Sequence, residues 1–214
     1  MKLGIVGTGA MGQVLYEYAL QEGTFDEIFL IEPTEQNPWP QGCLDLIIDF
    51  SHPSAIQEIY QYCLEEEGNI PVVLATTGYG MEEELVIRLL ERICPVVRKS
   101  NFSRGMAVME ELCKVAAERF SSICDIRLSE IHHTKKKDTP SGSAINLCKM
   151  VGVGPNDSQK VQSLRMGTVF GEHTVYFALE DEVLEIKHTA LSKKIFAIGA
   201  LEAGKKLINL DLMG

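Results

Sequence analysis

Residues 129–144, Ser-Glu-Ile-His-His-Thr-Lys-Lys-Lys-Asp-Thr-Pro-Ser-Gly-Ser-Ala, concentrate most of the chemistry this chain can do. His132 and His133 are adjacent imidazoles, and a histidine exchanges protons near neutral pH. Lys136, four positions after His132, can hold an anion or donate a proton, while Lys135 and Lys137 add general positive field. Ser141, Gly142 and Ser143 open an apolar helical pattern. The first amides of a helix lack intrahelical partners and favour an anion, and the two serine hydroxyls lie beside them. Such a set can bind an acidic molecule and move protons on it. The plainer alternative is a solvated basic loop with Ser141 as an ordinary helix cap. Turn, imidazoles and ammoniums within sixteen residues favour the chemical reading. No metal is expected: neighbours on an extended chain point opposite ways, and neither His-x-x-x-His nor Cys-x-x-Cys accompanies the histidines.

These groups need a strand to deliver the histidines and a helix to present the amides. Residues 125–131 read as the strand, and residues 141–151 as the helix. A long amphipathic pattern over 104–120 precedes them. Three further strands are expected at 161–166, 173–179 and 183–189, joined by short links that suggest a mainly antiparallel or mixed sheet. His188 and Lys187 read as structural strand residues. A last helix covers 193–209.

The first half follows a different plan. Residues 2–6 read as a buried strand, followed by Gly7-Thr8-Gly9-Ala10-Met11-Gly12 and a helical pattern to Gly23. Strand, Gly-x-Gly-x-x-Gly, helix is the setting a dinucleotide fingerprint requires, because the glycines permit a tight turn and close approach of pyrophosphate to the helix N-terminus. Residues 27–31 form a second apolar strand, and Glu32 stands twenty residues beyond Gly12, where a ribose-binding carboxylate belongs. Residues 33–42 read as a loop. Strands at 44–50, 70–75 and 95–98 alternate with helices from Pro53 to about 67, capped near Ser51 or His52, and over 81–93. That alternation predicts a parallel, doubly wound Rossmann-type sheet with ligands at the strand C-terminal ends.

Hydrophobic content of 45% and charged content of 23% are those of a globular protein. No apolar run approaches membrane-spanning length and no basic leader precedes residue 3, so a cytoplasmic location without membrane association is expected. Six cysteines show no metal or redox spacing and read as reduced thiols. Net charge is −10, unevenly spread: between Lys2 and Arg88 there is no lysine or arginine against fifteen acidic residues. That argues against nucleic acid or an anionic membrane as partner.

The stretch Glu130, His132, His133, Lys136, Asp138, Pro140, Ser141, Gly142, Ser143, Ala144 closely resembles the signature of the dihydrodipicolinate reductase family. Asp49-Phe50-Ser51, Thr76-Thr77-Gly78 (with Ala75 where the family has glycine), Asn101-Phe102-Ser103, and Arg165-x-Gly167 with Gly171-Glu172-His173 resemble its other motifs. The family has a longer segment after the second strand, so this chain is a short version expected to lack part of that wall.

The resemblance implies reduction of 4-hydroxy-tetrahydrodipicolinate to tetrahydrodipicolinate in the diaminopimelate and lysine pathway, with hydride from NAD(P)H and loss of water. It implies a dinucleotide-binding domain over 1–101, completed by a helix at 191–214. The substrate and oligomerisation domain would cover 102–190, in a homotetramer. His132 is then the acid/base, Lys136 the cationic proton donor, and His133, Ser141, Gly142 and Ser143 hold the small dicarboxylate. Gly7, Gly9, Ala10, Met11, Gly12, Glu32, Phe50, Ser51, Ala75, Thr76, Thr77, Asn101 and Phe102 surround the cofactor. With Ala10 and Pro33 where the family often has arginine, NADH is expected to be preferred without excluding NADPH. The rival readings are another nicotinamide-dependent reductase of a small acid and a nucleotide-sensing regulator without turnover. A sensor would not need His132 and Lys136 beside a carboxylate clamp.

Overall fold

The first half builds a parallel sheet whose inner strands are too apolar to leave either face in water. The computed structural model of the chain describes residues 1–32, 39–120 and 123–211; residues 33–38 of the expected loop, Pro33 among them, lie outside. Two compact units are present: Met1–Phe102 with Phe196–Gly214, and Ser103–Ile195 between them.

In the first unit β1 (Lys2–Val6) is followed by α1 (Ala10–Glu22), β2 (Glu27–Ile31), β3 (Leu46–Asp49), α2 (Ile56–Glu65), β4 (Val72–Leu74), α3 (Met81–Leu90) and β5 (Val96–Arg98). The strands lie in the order β2-β1-β3-β4-β5, all parallel. All four residues of β3 are buried, as expected of a parallel strand covered on both faces. One face packs Ile47, Val72 and Leu74 against Ile59, Cys63, Ile87 and Leu90 from α2 and α3. The other packs Leu3, Ile5, Leu46 and Ile48 against Leu15 and Ala19 of α1 and Ala197, Ala200 and Leu201 of α6 (Lys194–Asp211). Small residues let α6 come close: a Cβ on Gly199 would stand 1.7 Å from the Phe102 carbonyl oxygen.

All strands run the same way, but the order in which they are added reverses at β1: β2 lies on one side of it and β3 on the other. In such sheets that switch point opens a crevice at the strand C-terminal ends. The glycine turn after β1 and the Phe50-Ser51 turn after β3 both lie there.

Several boundaries move from their expected places. The strand expected over 44–50 is regular over Leu46–Asp49, and that over 70–75 over Val72–Leu74, with single ladder bonds from Phe50 and Ala75 just beyond their ends. The helix expected from Pro53 begins as a 3-10 turn, Pro53–Ala55, with His52 at its cap, Nδ1 accepting from the Ser54 N–H. α2 then stops at Glu65, because Glu67, Gly68 and Asn69 take left-handed φ values of 64°, 77° and 65°. α3 ends at Leu90, three residues earlier than its apolar pattern suggests.

The second unit holds α4 (Arg104–Phe120), β6 (Asp125–His132), α5 (Gly142–Val151), β7 (Val161–Arg165), β8 (Glu172–Ala178) and β9 (Val183–Thr189). Its sheet, in the order β7-β6-β8-β9, is mixed: β8 pairs antiparallel with β6 and β9, and β7 pairs parallel with β6. Leu128, Val161, Val175 and Phe177 face Met106, Met109 and Cys113 of α4 and Ala144, Leu147 and Cys148 of α5. That same face continues, toward the end of β6, into Glu130 and His132.

Candidate active site

Period-two alternation along β6 puts Leu128, Glu130 and His132 on the inner face, so the strand that builds the core also buries a carboxylate and an imidazole. Glu130 is fully buried and His132 is 7% exposed. Glu130 Oε2 meets His132 Nδ1 in a close hydrogen bond, and Arg165 Nη2, from the end of β7, stands 2.8 Å from Glu130 Oε1. Burial alone would raise the Glu130 pKa. The hydrogen bond to His132 and the nearby Arg165 guanidinium and Ser163 outweigh it and bring the value down to about 2, so the group is a carboxylate at any physiological pH.

Pairing of β6 with β8 sets His173 opposite Glu130, and its ring lies edge-on to His132 with centroids 5.1 Å apart. Burial, then the neighbouring charge of His132, depress the His173 pKa to about 3, which makes it a neutral imidazole. His173 Nε2 lies 3.1 Å from Ser141 Oγ, and that oxygen also caps α5 by accepting the Ala144 N–H at 3.2 Å. Glu130, His132 and His173 bring ligand atoms within 4.8 Å of one another, a spacing a small cation could use. Arg165 already supplies positive charge to that carboxylate.

Of the three lysines, Lys135 and Lys137 are exposed and Lys136 is partly buried, its Nζ 2.8 Å from Asp138 Oδ1. The Lys136 amide donates to the His133 carbonyl at 3.1 Å, closing a turn directly after β6. Partial burial, then the charges of Lys136, His132, Lys193 and Arg165, lower the pKa of His133. Ser143 is buried and Gly142 half-buried in the first turn of α5. The structure thus brings His132, His133, Lys136, Ser141, Gly142 and Ser143 to one end of the second sheet. Glu130, Arg165 and His173 join them. The sequence offered these three only as motif letters, because nothing in one strand says which residue of another will lie opposite. His188 accompanies His173 across β8 and β9, with Nε2 3.2 Å from Ser103 Oγ.

In the first unit the glycine turn is shaped by close backbone approach. Gly7 has φ +106°, and a Cβ there would stand 2.5 Å from the Phe50 carbonyl oxygen; on Gly12 it would stand 1.8 Å from the Gly7 oxygen. Gly9 has open space and caps α1, with Ala10 exposed and Met11 half-buried behind it. Glu32 Oε2 accepts from the Thr8 hydroxyl and, at 3.3 Å, from the Thr8 N–H. One oxygen of that carboxylate is therefore tied to the turn itself.

After β3 and β4, the buried carboxylate of Asp49 gathers the loops. It accepts from the Ser51 hydroxyl, from the Ser51 N–H at 3.0 Å and from Tyr79 Oη at 3.1 Å, and its pKa is raised by burial. The Ser51 N–H also reaches Thr76 Oγ1 at 2.9 Å, and the Ala75 N–H donates to the Asp49 carbonyl at 2.9 Å. Phe50 is half-buried and Thr77 exposed. Asn101 is half-buried; the Phe102 ring sits in the core, which leaves its main chain as the part able to meet a ligand.

Comparison with known proteins agrees with both halves. The family described as dihydrodipicolinate reductase, N-terminus, matches residues 1–102, and that described as dihydrodipicolinate reductase, C-terminus, matches residues 105–211. A 4-hydroxy-tetrahydrodipicolinate reductase of Thermosipho africanus is 37% identical over 98% of this chain and 92% of its own length. That of Exiguobacterium sibiricum is 38% identical over 97% of this chain and 91% of its own. Among solved structures, a dipicolinate-bound dihydrodipicolinate reductase from Paenisporosarcina shares the fold with a TM-score of 0.69, at 18% identity over 98% of this chain and 95% of that one. The chain belongs to the dihydrodipicolinate reductase family.

Proposed function

We propose that the protein reduces 4-hydroxy-tetrahydrodipicolinate to tetrahydrodipicolinate, with loss of water, in the diaminopimelate route to lysine. The observation that carries this reading is the Glu130–His132 pair at the end of β6, joined through His173 to Ser141 at the start of α5. A small dicarboxylate suits a site with one carboxylate-accepting helix start, flanking lysines and an imidazole able to pass protons.

The turn around Gly7, Gly9, Ala10, Met11 and Gly12 has the bare backbone that a pyrophosphate requires, and Glu32 is anchored where ribose hydroxyls would be accepted. The residues therefore fit a dinucleotide. Phe50, Ser51, Ala75, Thr76 and Thr77, gathered by Asp49, with Asn101 and the main chain of Phe102, would enclose its other end. Reduced nicotinamide, when bound, supplies the hydride. His132 acts as acid/base through Nε2, and Lys136 meets the negative charge that develops on the substrate and delivers a proton. Gly142 and Ser143 hold one substrate carboxylate with Ser141, whose own oxygen serves chiefly as the cap of α5. His133 assists in binding. Arg165 supplies positive charge to the Glu130 carboxylate.

The first unit is accordingly read as the dinucleotide-binding domain and the second as the substrate and oligomerisation domain. α4 and α5 both cover the inner face of the second sheet, and its outer face carries Leu164, Tyr176, Glu185 and Lys187. That face is the surface through which a homotetramer would assemble. A cytoplasmic location suits the reaction, and among the described residues no helix is long and apolar enough to cross a membrane.

The test is oxidation of NADH or NADPH by the full chain with freshly generated 4-hydroxy-tetrahydrodipicolinate. Turnover dependent on that substrate is expected. A folded protein that binds cofactor and leaves the substrate unreduced would overturn the reading.

A further inference from the structure

A buried carboxylate without partners costs several kcal/mol, so the company Glu130 keeps is informative. His132 Nδ1 meets one oxygen and Arg165 Nη2 lies 2.8 Å from the other. The same Nη2 donates to the Asp138 carbonyl at 2.6 Å and to Thr139 Oγ1 at 3.0 Å, while Nη1 donates to the Leu164 carbonyl at 2.8 Å. Asp138 in turn pairs with Lys136 at 2.8 Å. A continuous run of contacts, His132–Glu130–Arg165–Asp138–Lys136, therefore joins the two groups to which proton handling is assigned.

A carboxylate only accepts hydrogen bonds. Against Glu130, neutral His132 must carry its proton on Nδ1 and its lone pair on Nε2. Nε2 is the end that faces Gly171, where a Cβ would stand 3.1 Å away, so the turn before β8 passes close to that nitrogen with no side chain crowding it. Arg165 only donates. It holds the second Glu130 oxygen and, with the same nitrogen, the loop that carries Lys136.

We propose that Glu130 is a positioning residue that fixes the working lone pair of His132 on Nε2 and, through Arg165, sets the loop of Lys136 from the same carboxylate. The proposal rests on His132 and Lys136 being the proton-handling groups, and its test separates the two ideas. A merely structural ion pair between β6 and β7 would predict lost stability with an unchanged tautomer and kcat.

Glu130→Gln distinguishes these. The amide oxygen must face donor-only Arg165, which turns the NH2 toward His132 Nδ1 and reverses the tautomer. In full-length protein labelled with 15N-histidine, the His132 imidazole is identified by its loss in His132→Gln. Wild type should show the Nδ1–H form near pH 8, and Glu130→Gln the Nε2–H form. In the variant kcat should fall about a hundredfold or more, with cofactor affinity within about twofold of wild type. Arg165→Lys keeps a positive charge on Glu130 but not the fork to Asp138 and Thr139. It should retain the wild-type tautomer and lose about tenfold in kcat.

An unchanged tautomer or kcat in folded Glu130→Gln overturns the proposal. If that variant does not fold, wild-type kcat in Arg165→Lys overturns it instead. An Nε2–H form in wild type also overturns it, even if the protein proves active. A wild type that shows the Nδ1–H form but no turnover would refute the proposed reaction and leave the positioning intact.

Discussion

His133 has its pKa lowered by partial burial and by the cations around it. A bound dicarboxylate would oppose those cations, so the pKa should rise and the site should take up a proton on binding. The window lies between the depressed value and the ordinary histidine value of 6.5. Titration of 2,6-pyridinedicarboxylate near pH 6 in two buffers of different ionisation enthalpy should give unequal heats; equal heats would remove His133 from the anion site. His132 and Lys136 should separate chemistry from cofactor binding. His132→Gln and Lys136→Ala are expected to cut kcat by about a hundredfold or more with cofactor affinity nearly unchanged. A loss mainly in cofactor affinity would contradict these roles. These two residues were legible because their types and spacing are informative alone. The parts of Glu130 and Arg165 were not, since a side chain's partner across a sheet depends on register that a single strand does not encode.

At the scale of elements, strands and helices of the first unit followed from hydrophobic periodicity, and their ends did not. α2 ends early because three consecutive left-handed residues follow it, only one of them glycine. The parallel pairing of β6 with β7 has a plain cause: α5 lies between them, and a parallel pair needs such a crossover. Short links earlier favoured antiparallel neighbours, which held for β8 and β9. The glycine turn gives the sharpest prediction here. A Cβ on Gly12 would stand 1.8 Å from the Gly7 oxygen, so α1 cannot keep its approach to β1. Gly12→Ala should weaken cofactor binding at least about tenfold, read by quenching of protein fluorescence or by calorimetry. Gly9→Ala, in open space, should cost far less; equal losses would mean that close approach is not what the motif supplies here.

Across the whole molecule, charge is divided by sequence. Residues 3–87 carry no lysine or arginine, so the carboxylate of Glu32 meets a ribose with no basic side chain from that region to receive a 2′-phosphate. Because Thr8 holds that carboxylate to the turn, it cannot easily swing aside. The ratio of kcat/KM for NADH over NADPH, at one substrate concentration and moderate salt, should exceed one. A preference for NADPH would require a phosphate site made from backbone amides or from residues beyond Ile87.

The path of the chain also sets an order of assembly during synthesis. Everything in the first unit up to Phe102 leaves the ribosome before the second unit, yet Ala197, Ala200 and Leu201 are made after it. Until they emerge, Leu3, Ile5, Leu46 and Ile48 lack one of the two helices that cover one side of them. The second unit, contiguous from Ser103 to Ile195, has no such wait. Domains usually mature in the order they are made; here the later unit should become protease-resistant first. Chains cut at residue 195 and tethered to the ribosome through an unrelated linker long enough to clear the exit tunnel should show a protected second unit and a first unit still open to cleavage, and the same tether placed after α6 should protect both. The nascent sheet is thus left for a time as a half-covered apolar surface, where a holding chaperone would be of most use.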